Sequence, residues 1–192
     1  MLVFEAFRRR RSISKMSERR PTRDQIERML EAATHAPNHH RVEPWKFIVF
    51  SGAARQELGE VMAQALALRL GQERDEKTQA LIEKERQKPL RAPVVIVVAA
   101  EAPQRPEVRA IENVEAVAAA VQNMLLTAEE LGLATMWRTG EAAYDPHVKA
   151  WLGLAPEDEI VAFLYVGYPA LSPPERIPTD YRHKTRWLGN LD

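Results

Sequence analysis

Apolar residues recur at helical spacing along much of the chain and close into short continuous runs at a few places. Residues 2–10 read as a first helix with Val3, Ala6 and Phe7 turned inward. A better-signalled helix begins at Pro21-Thr22. Thr22 and Gln25 have capping-box spacing, and Ile26, Met29, Leu30 and Ala33 recur on one face. Pro37 ends it, because a proline disfavours helix at the residue before it. Residues 45–50 read as a strand closed by Ser51-Gly52. Residues 53–88 have helical propensity, with an apolar stripe through Leu58, Val61, Met62, Ala65, Leu66 and Leu70, and Gly71 with the polar stretch 72–78 predicts two helices or a break there. The charged stretch 73–88 is expected to be a mobile surface excursion or lid.

Residues 94–100 are nearly all apolar and β-branched, which predicts a strand buried on both faces. A long helix is predicted over 111–131, stopped by Gly132. Its segment 114–126 is apolar almost all round, which predicts burial on every side and, in a chain this short, a subunit interface. A short strand at 134–137, a helix at 145–152 with Asp145 as cap and Pro146 at its first position, and a strand at 160–167 complete the order. The proline-rich tail 168–192 cannot form its own core and is expected to pack along another surface or another subunit. No internal repeat or linker interrupts the pattern, so one mixed α/β layer domain over 1–192 is expected.

Composition narrows the function. The 192 residues carry 27 basic and 27 acidic side chains and no net formal charge, so a whole-molecule field that would gather nucleic acid is absent. No apolar run approaches the roughly 20 residues of a membrane span. Leu2, Val3 and Phe4 are too short for the core of a secretory signal. With no cysteine there are no disulfides, thiolate metal sites or cysteine nucleophiles, which fits a reducing cytoplasm.

Against this balance the four consecutive arginines Arg8 to Arg11, followed by Ser12, Ser14 and Lys15, are a local excess. Forked guanidinium groups with neighbouring hydroxyls suit a phosphate dianion. A solvated basic helix end is the competing reading. Nucleic-acid binding by the same run is a third, opposed by zero net charge and by the lack of a recognition motif. No glycine-rich dinucleotide or P-loop fingerprint is present, so side chains would have to hold any nucleotide phosphate. His35 and His39 have i, i+4 spacing, but Pro37 breaks the helix that would align them on a metal. They read as loop histidines bonded to backbone or as the lining of a cofactor cleft. No Ser-His-Asp arrangement or G-x-S-x-G is present. Trp137-Arg138-Thr139-Gly140, where a strand leaves the core, reads either as a turn with a core tryptophan or as a close approach to a planar ligand.

In order and spacing these pieces match a family. Arg10-Arg11-Ser12-Ile13-Ser14-Lys15, Ala33-Thr34-His35-Ala36-Pro37-Asn38-His39, Glu43-Pro44-Trp45-Lys46-Phe47, Arg91-Ala92-Pro93, Glu130-Leu131-Gly132-Leu133 and Trp137-Arg138-Thr139-Gly140 together resemble the FMN-dependent nitroreductase family, in its short bacterial branch. The resemblance runs from about Phe4 to Pro169. It implies an α+β fold with a central, mostly antiparallel sheet flanked by helices. It also implies an intertwined homodimer with two FMN molecules at the subunit interface and the tail reaching the partner. The implied activity is transfer of electrons from NADH or NADPH through FMN to a nitroaromatic, a quinone or a similar acceptor, with no protein nucleophile or base. Other flavin chemistry on the same fold, such as reductive dehalogenation or flavin conversion, and a non-catalytic flavin-binding protein are the alternatives.

Carried over by position, Arg10, Arg11 and Ser12 would hold the flavin phosphate and ribityl end, and His35 and His39 would line the FMN cleft. Trp137, Arg138 and Thr139 would lie along the isoalloxazine and its polar edge, partly through backbone amides. Thr127, Ala128, Glu129, Glu130, Leu131 and Gly132 would contact the nicotinamide cofactor. The chain departs from the family at His35, where Arg or Ser is frequent, at Glu43, where Gln is common, and at Lys15, where Arg is common. Lys184 and Arg186 are further phosphate candidates in the tail.

Overall fold

The computed structural model describes residues 2–71, 75–172 and 177–189. Its elements run α1 (Val3–Arg9), α2 (Arg23–Thr34), β1 (Trp45–Ser51), α3 (Ala54–Leu70), α4 (Glu76–Arg86), β2 (Val94–Ala100), α5 (Ala110–Glu130), β3 (Ala134–Arg138), α6 (Pro146–Trp151) and β4 (Glu159–Gly167). The four strands form one antiparallel sheet in the order β1-β2-β4-β3.

Strand periodicity explains the two layers. Successive side chains of β2 point to opposite faces. Val94, Ile96, Val98 and Ala100 enter the core beneath α2 and α5, whereas Val95, Val97 and Ala99 enter the core beneath α3 and α6. Helices cover both faces, so β2 is apolar without alternation. Local signals set the ends of the helices. Thr22 and Gln25 form the capping box at the start of α2, and Asp145 Oδ1 accepts from the His147 amide at the start of α6.

Residues 76–86 form a regular helix and not the expected excursion. Ile82 is buried, Arg86 pairs with Glu60 of α3 at 2.8 Å, and the helices meet at Gly59. A Cβ there would lie 2.2 Å from the Arg86 carbonyl oxygen, so only glycine admits this approach. The charged pattern of the segment reflects one wet face. Residues 73 and 74 lie outside the described residues.

One other expectation changes, and two more concern surface that a single chain leaves uncovered. Within this chain only Ala6 of α1 is buried, while Val3 and Phe7 are exposed. The segment 114–126 is covered on one side only. Ala116, Val117, Ala120, Val121, Met124 and Leu125 are buried, but Val114, Ala118, Ala119 and Leu126 are half-buried. The tail residues Ile177, Tyr181, Trp187 and Leu188 are exposed, as are Lys184 and Arg186. Among the described residues no helix is long and apolar enough to cross a membrane.

Candidate functional site

The N-terminal segment lies along the outer edge of β3. Ser12 bridges Thr135 in parallel register, and the Ile13 amide donates to the Thr135 carbonyl at 2.9 Å. The segment continues past the end of β4, where Met16 bridges Pro169 and the Ser17 amide donates to the Tyr168 carbonyl at 2.8 Å. An edge strand exposes a row of backbone groups, and this segment covers part of that row. Gly167 permits the crossing, because a Cβ would sit 2.8 Å from Pro93 Cδ and 3.1 Å from Met16 Sδ. The arginine-serine run and the tryptophan turn are thus neighbours within a single chain.

The arginines differ in what they do. Arg9 pairs with Glu129 at 3.1 Å, docking α1 on the end of α5. Arg11 Nη1 donates to the carbonyls of Arg8, Arg9 and Arg10 at 2.7, 2.9 and 2.9 Å. Those are carbonyls left over at a helix end, so Arg11 caps α1 while adding positive charge there. Arg10 is half-buried at the C-cap of α1, and Ser12 is exposed.

On β3, register decides which groups face outward. Backbone polar groups alternate in direction along an antiparallel strand. Because the Thr135 carbonyl accepts from Ile13 and so points away from β4, the N–H and C=O of Trp137 point to the same outer edge. The Trp137 indole N–H is already committed to the Val161 carbonyl at 2.9 Å. Any ligand contact by Trp137 therefore falls to its backbone and ring. Thr139 is exposed just beyond.

Arg138 points to the other face of the sheet. With Ser14, Met16, Arg91, Met136 and Tyr165 it lines a cavity of about 50 Å³. Tyr165 is 4% exposed and is one of the residues lining this space. Burial pushes the phenol up to about 12, against an opposing pull from Arg138 and Arg91. Sequence reasoning missed Tyr165 and gave Arg91 no role at the site. The available signal was a tyrosine inside an otherwise apolar buried strand, whose hydroxyl requires a partner.

His35 and His39 stand elsewhere. His35 is the exposed C-cap of α2. His39 shares a shallow concavity with Pro37, Asn38, Glu112, Glu115, Ala116 and Ala119, at the N-terminal half of α5. The loop that carries His39 is held in left-handed backbone at His40, Arg41 and Glu43, with φ of 51°, 54° and 49°. Asn38 Oδ1 braces it by accepting from the Glu43 amide at 2.9 Å. Glu115 beside His39 and Glu129 beside Arg9 are separated along α5 by about 20 Å at 1.5 Å per residue. One chain therefore does not bring the histidines to the arginine-serine segment. Among the described residues no group of three His, Asp or Glu side chains is placed to hold a metal ion.

Residues 127–132 form the end of α5. The Leu133 amide donates to the Ala128 carbonyl at 2.8 Å and the Gly132 amide to the Glu129 carbonyl at 3.2 Å, with Gly132 at φ 69°. This is a Schellman termination. Ala128 is fully buried, the Thr127 carbonyl accepts from Leu131, and Glu129 is paired with Arg9. The geometry gives this stretch a structural role.

An antiparallel sheet between helical layers, with a basic N-terminal strap along its edge strand, defines a nitroreductase-like α+β protein. A family model described as the Nitroreductase family matches residues 7–168. The chain is 34% identical over 171 residues to the Escherichia coli K12 protein named "Putative NAD(P)H nitroreductase YdjA", covering 89% of this chain and 90% of that one. The nitroreductase-like family protein from Bacillus cereus shares the fold with a TM-score of 0.83 and 26% identity, over 99% of this chain and 97% of that one. A nitroreductase with bound FMN from Bacteroides fragilis NCTC 9343 shares it at a TM-score of 0.73 and 24% identity, over 98% and 100%. This chain belongs to the nitroreductase family and is an oxidoreductase.

Proposed function

We propose that this protein binds FMN between two copies of the chain and uses NADH or NADPH to reduce nitroaromatics, quinones or similar small acceptors. The observation that carries the reading is the seating of the arginine-serine segment on β3, next to the outward backbone of Trp137. The donor set fits the group. Arg10, Arg11 and Ser12 offer positive charge and a hydroxyl for a phosphate, and the Trp137 edge with Thr139 and Arg138 offers donors to a flat polar ring. When bound, the flavin supplies hydride and electron transfer. The chain's residues bind it, orient it and keep water from one side.

Three features support the homodimer. His39 lies about 20 Å along α5 from the strap, a separation that fits a flavin meeting the strap of one copy and the histidine of another. The outer side of 114–126 is apolar and half-covered. Leu2, Val3, Phe4 and Phe7 of α1 and Trp187 and Leu188 of the tail are exposed apolar surface that a partner would bury. The names of the relatives, NAD(P)H nitroreductase in one case and bound FMN in another, agree with this reading.

The test is oxidation of NADH and of NADPH by FMN-loaded protein under nitrogen, with a nitroaromatic and a quinone supplied in turn. Acceptor-dependent turnover is expected. Loaded protein that oxidises neither dinucleotide with either acceptor contradicts the proposal.

A further inference from the structure

The side-chain amide of Asn113, near the start of α5, is only half satisfied. Asn113 is 3% exposed, and its Nδ2 donates to the Glu101 carbonyl at 2.8 Å. That bond fixes which way the amide is turned, because the flipped group would set its oxygen against the carbonyl oxygen. Oδ1 is left as the one buried side-chain polar atom with no hydrogen-bond partner among the described residues. Buried polar groups are nearly always bonded, so this oxygen calls for a donor from outside the chain.

Asn113 lines a cavity of about 190 Å³ between the loop that leads into β1 and the loop that joins β2 to α5. A cavity of roughly 150 Å³ accepts benzene, so this one has room for a single substituted ring. Val42, Pro44 and Val108 give it apolar walls. The wall on the β1 side is held in place: Arg41 has φ 54°, and Asn38 Oδ1 accepts from the Glu43 amide at 2.9 Å. The polar groups of the lining are unevenly committed. Glu101 is ion-paired with Lys46 at 3.1 Å, and Gln104 Nε2 donates to the Ala102 carbonyl at 3.1 Å. The guanidiniums of Arg41 and Arg105, at exposed positions, are not ion-paired with any described residue. Two uncommitted cations and one uncommitted acceptor around an apolar space fit a ring with an anionic group at one end and a hydrogen-bond donor at the other.

We propose that this cavity binds a small aromatic carboxylate bearing a hydroxyl or amino group. The carboxylate pairs with Arg41 and Arg105, the ring lies against Val42, Pro44 and Val108, and the hydroxyl or amino group donates to Asn113 Oδ1. No covalent step is assigned to the site. The inference stands apart from the flavin reading, because it uses none of the residues assigned above to FMN or to the nicotinamide cofactor.

The experiment is calorimetric titration of the full chain, with FMN present throughout, using 3-hydroxybenzoate, 4-hydroxybenzoate, benzoate and phenol as probes. The better of the two hydroxybenzoates is expected to bind about tenfold more tightly than benzoate, which lacks the donor, and than phenol, which lacks the anion. Arg105→Gln is expected to weaken that hydroxybenzoate about tenfold and to leave phenol unchanged. Asn113→Ala is expected to abolish the preference over benzoate. It also frees the Glu101 carbonyl, so the exposed Arg105 position carries the test if the Asn113 variant does not fold. Benzoate that binds as tightly as both hydroxybenzoates, hydroxybenzoate binding indifferent to Arg105→Gln, or no binding of any probe, as for a cavity filled by water alone, each overturns the assignment. None of these results decides whether the chain binds FMN, which titration with FMN alone tests.

Discussion

Arg11 illustrates how a side chain proposed for the site also serves the fold. Its guanidinium gathers three carbonyls at the end of α1 and so fixes the path by which Arg10 and Ser12 reach β3. Sequence alone identified the cluster, because charge excess is visible locally. It did not separate the arginine that caps from the arginine that pairs with α5, since that depends on where α1 docks. Tyr165 stood out as a tyrosine in an apolar strand, but the cavity it lines was illegible for a related reason: it exists only once β3, β4 and the strap are side by side. For the phosphate end the prediction is specific. Arg10→Ala is expected to weaken FMN binding by about tenfold or more, the worth of a charge-assisted hydrogen bond of roughly 1.5–3 kcal/mol. Titration of the variant with FMN, followed by flavin fluorescence, checks it.

At the scale of elements, the strands and helices were legible wherever periodicity and capping agree. The capping box of α2 and the proline-capped α6 are set by residues within one turn of each other, and both appear as read. The second helix after the break near Gly71 was legible, but its packing on α3 was not, because that contact is made through a glycine and one isoleucine, which leave little trace in a charged sequence. Asp158 ties β1 to two loops. It is 2% exposed, accepts from the amides of Ala102 and Ala155 at 2.9 and 3.1 Å, and pairs with Lys46 of β1 at 3.0 Å. Burial pushes its carboxyl up, but the two amides and Lys46 together outweigh burial and hold it below its ordinary value. The unfolded chain therefore takes up this proton first as pH falls. The stability contributed by Asp158 is complete above its unfolded value of about 3.9 and is lost as pH falls through the lower folded value. Asp158→Asn is expected to cost about 1–3 kcal/mol at neutral pH and to flatten the fall in stability on the acid side. Urea unfolding at neutral and acid pH measures both.

For the whole molecule, the decisive feature is incompleteness. In the proposed homodimer the strap and β3 supply one half of the site; within one chain the His39 loop lies at the far end of α5, and α1, the outer side of α5 and the tail all present apolar surface. The apolar pattern of 114–126 and the coreless tail were legible in the sequence, and both leave apolar surface uncovered within one chain; what would cover it was not legible, because a sequence shows burial and not what provides it. Sedimentation equilibrium is expected to give twice the 21.8 kDa of the chain. Removal of residues 171–192 is expected to weaken that association, seen as a rising monomer fraction on dilution.

The most direct measurement is a visible absorption titration of the purified protein with FMN, carried to saturation and followed by anaerobic addition of NADH or NADPH. One FMN bound per chain, with a flavin band that bleaches on adding the dinucleotide, is the predicted result. A protein that leaves the spectrum of added FMN unchanged contradicts it.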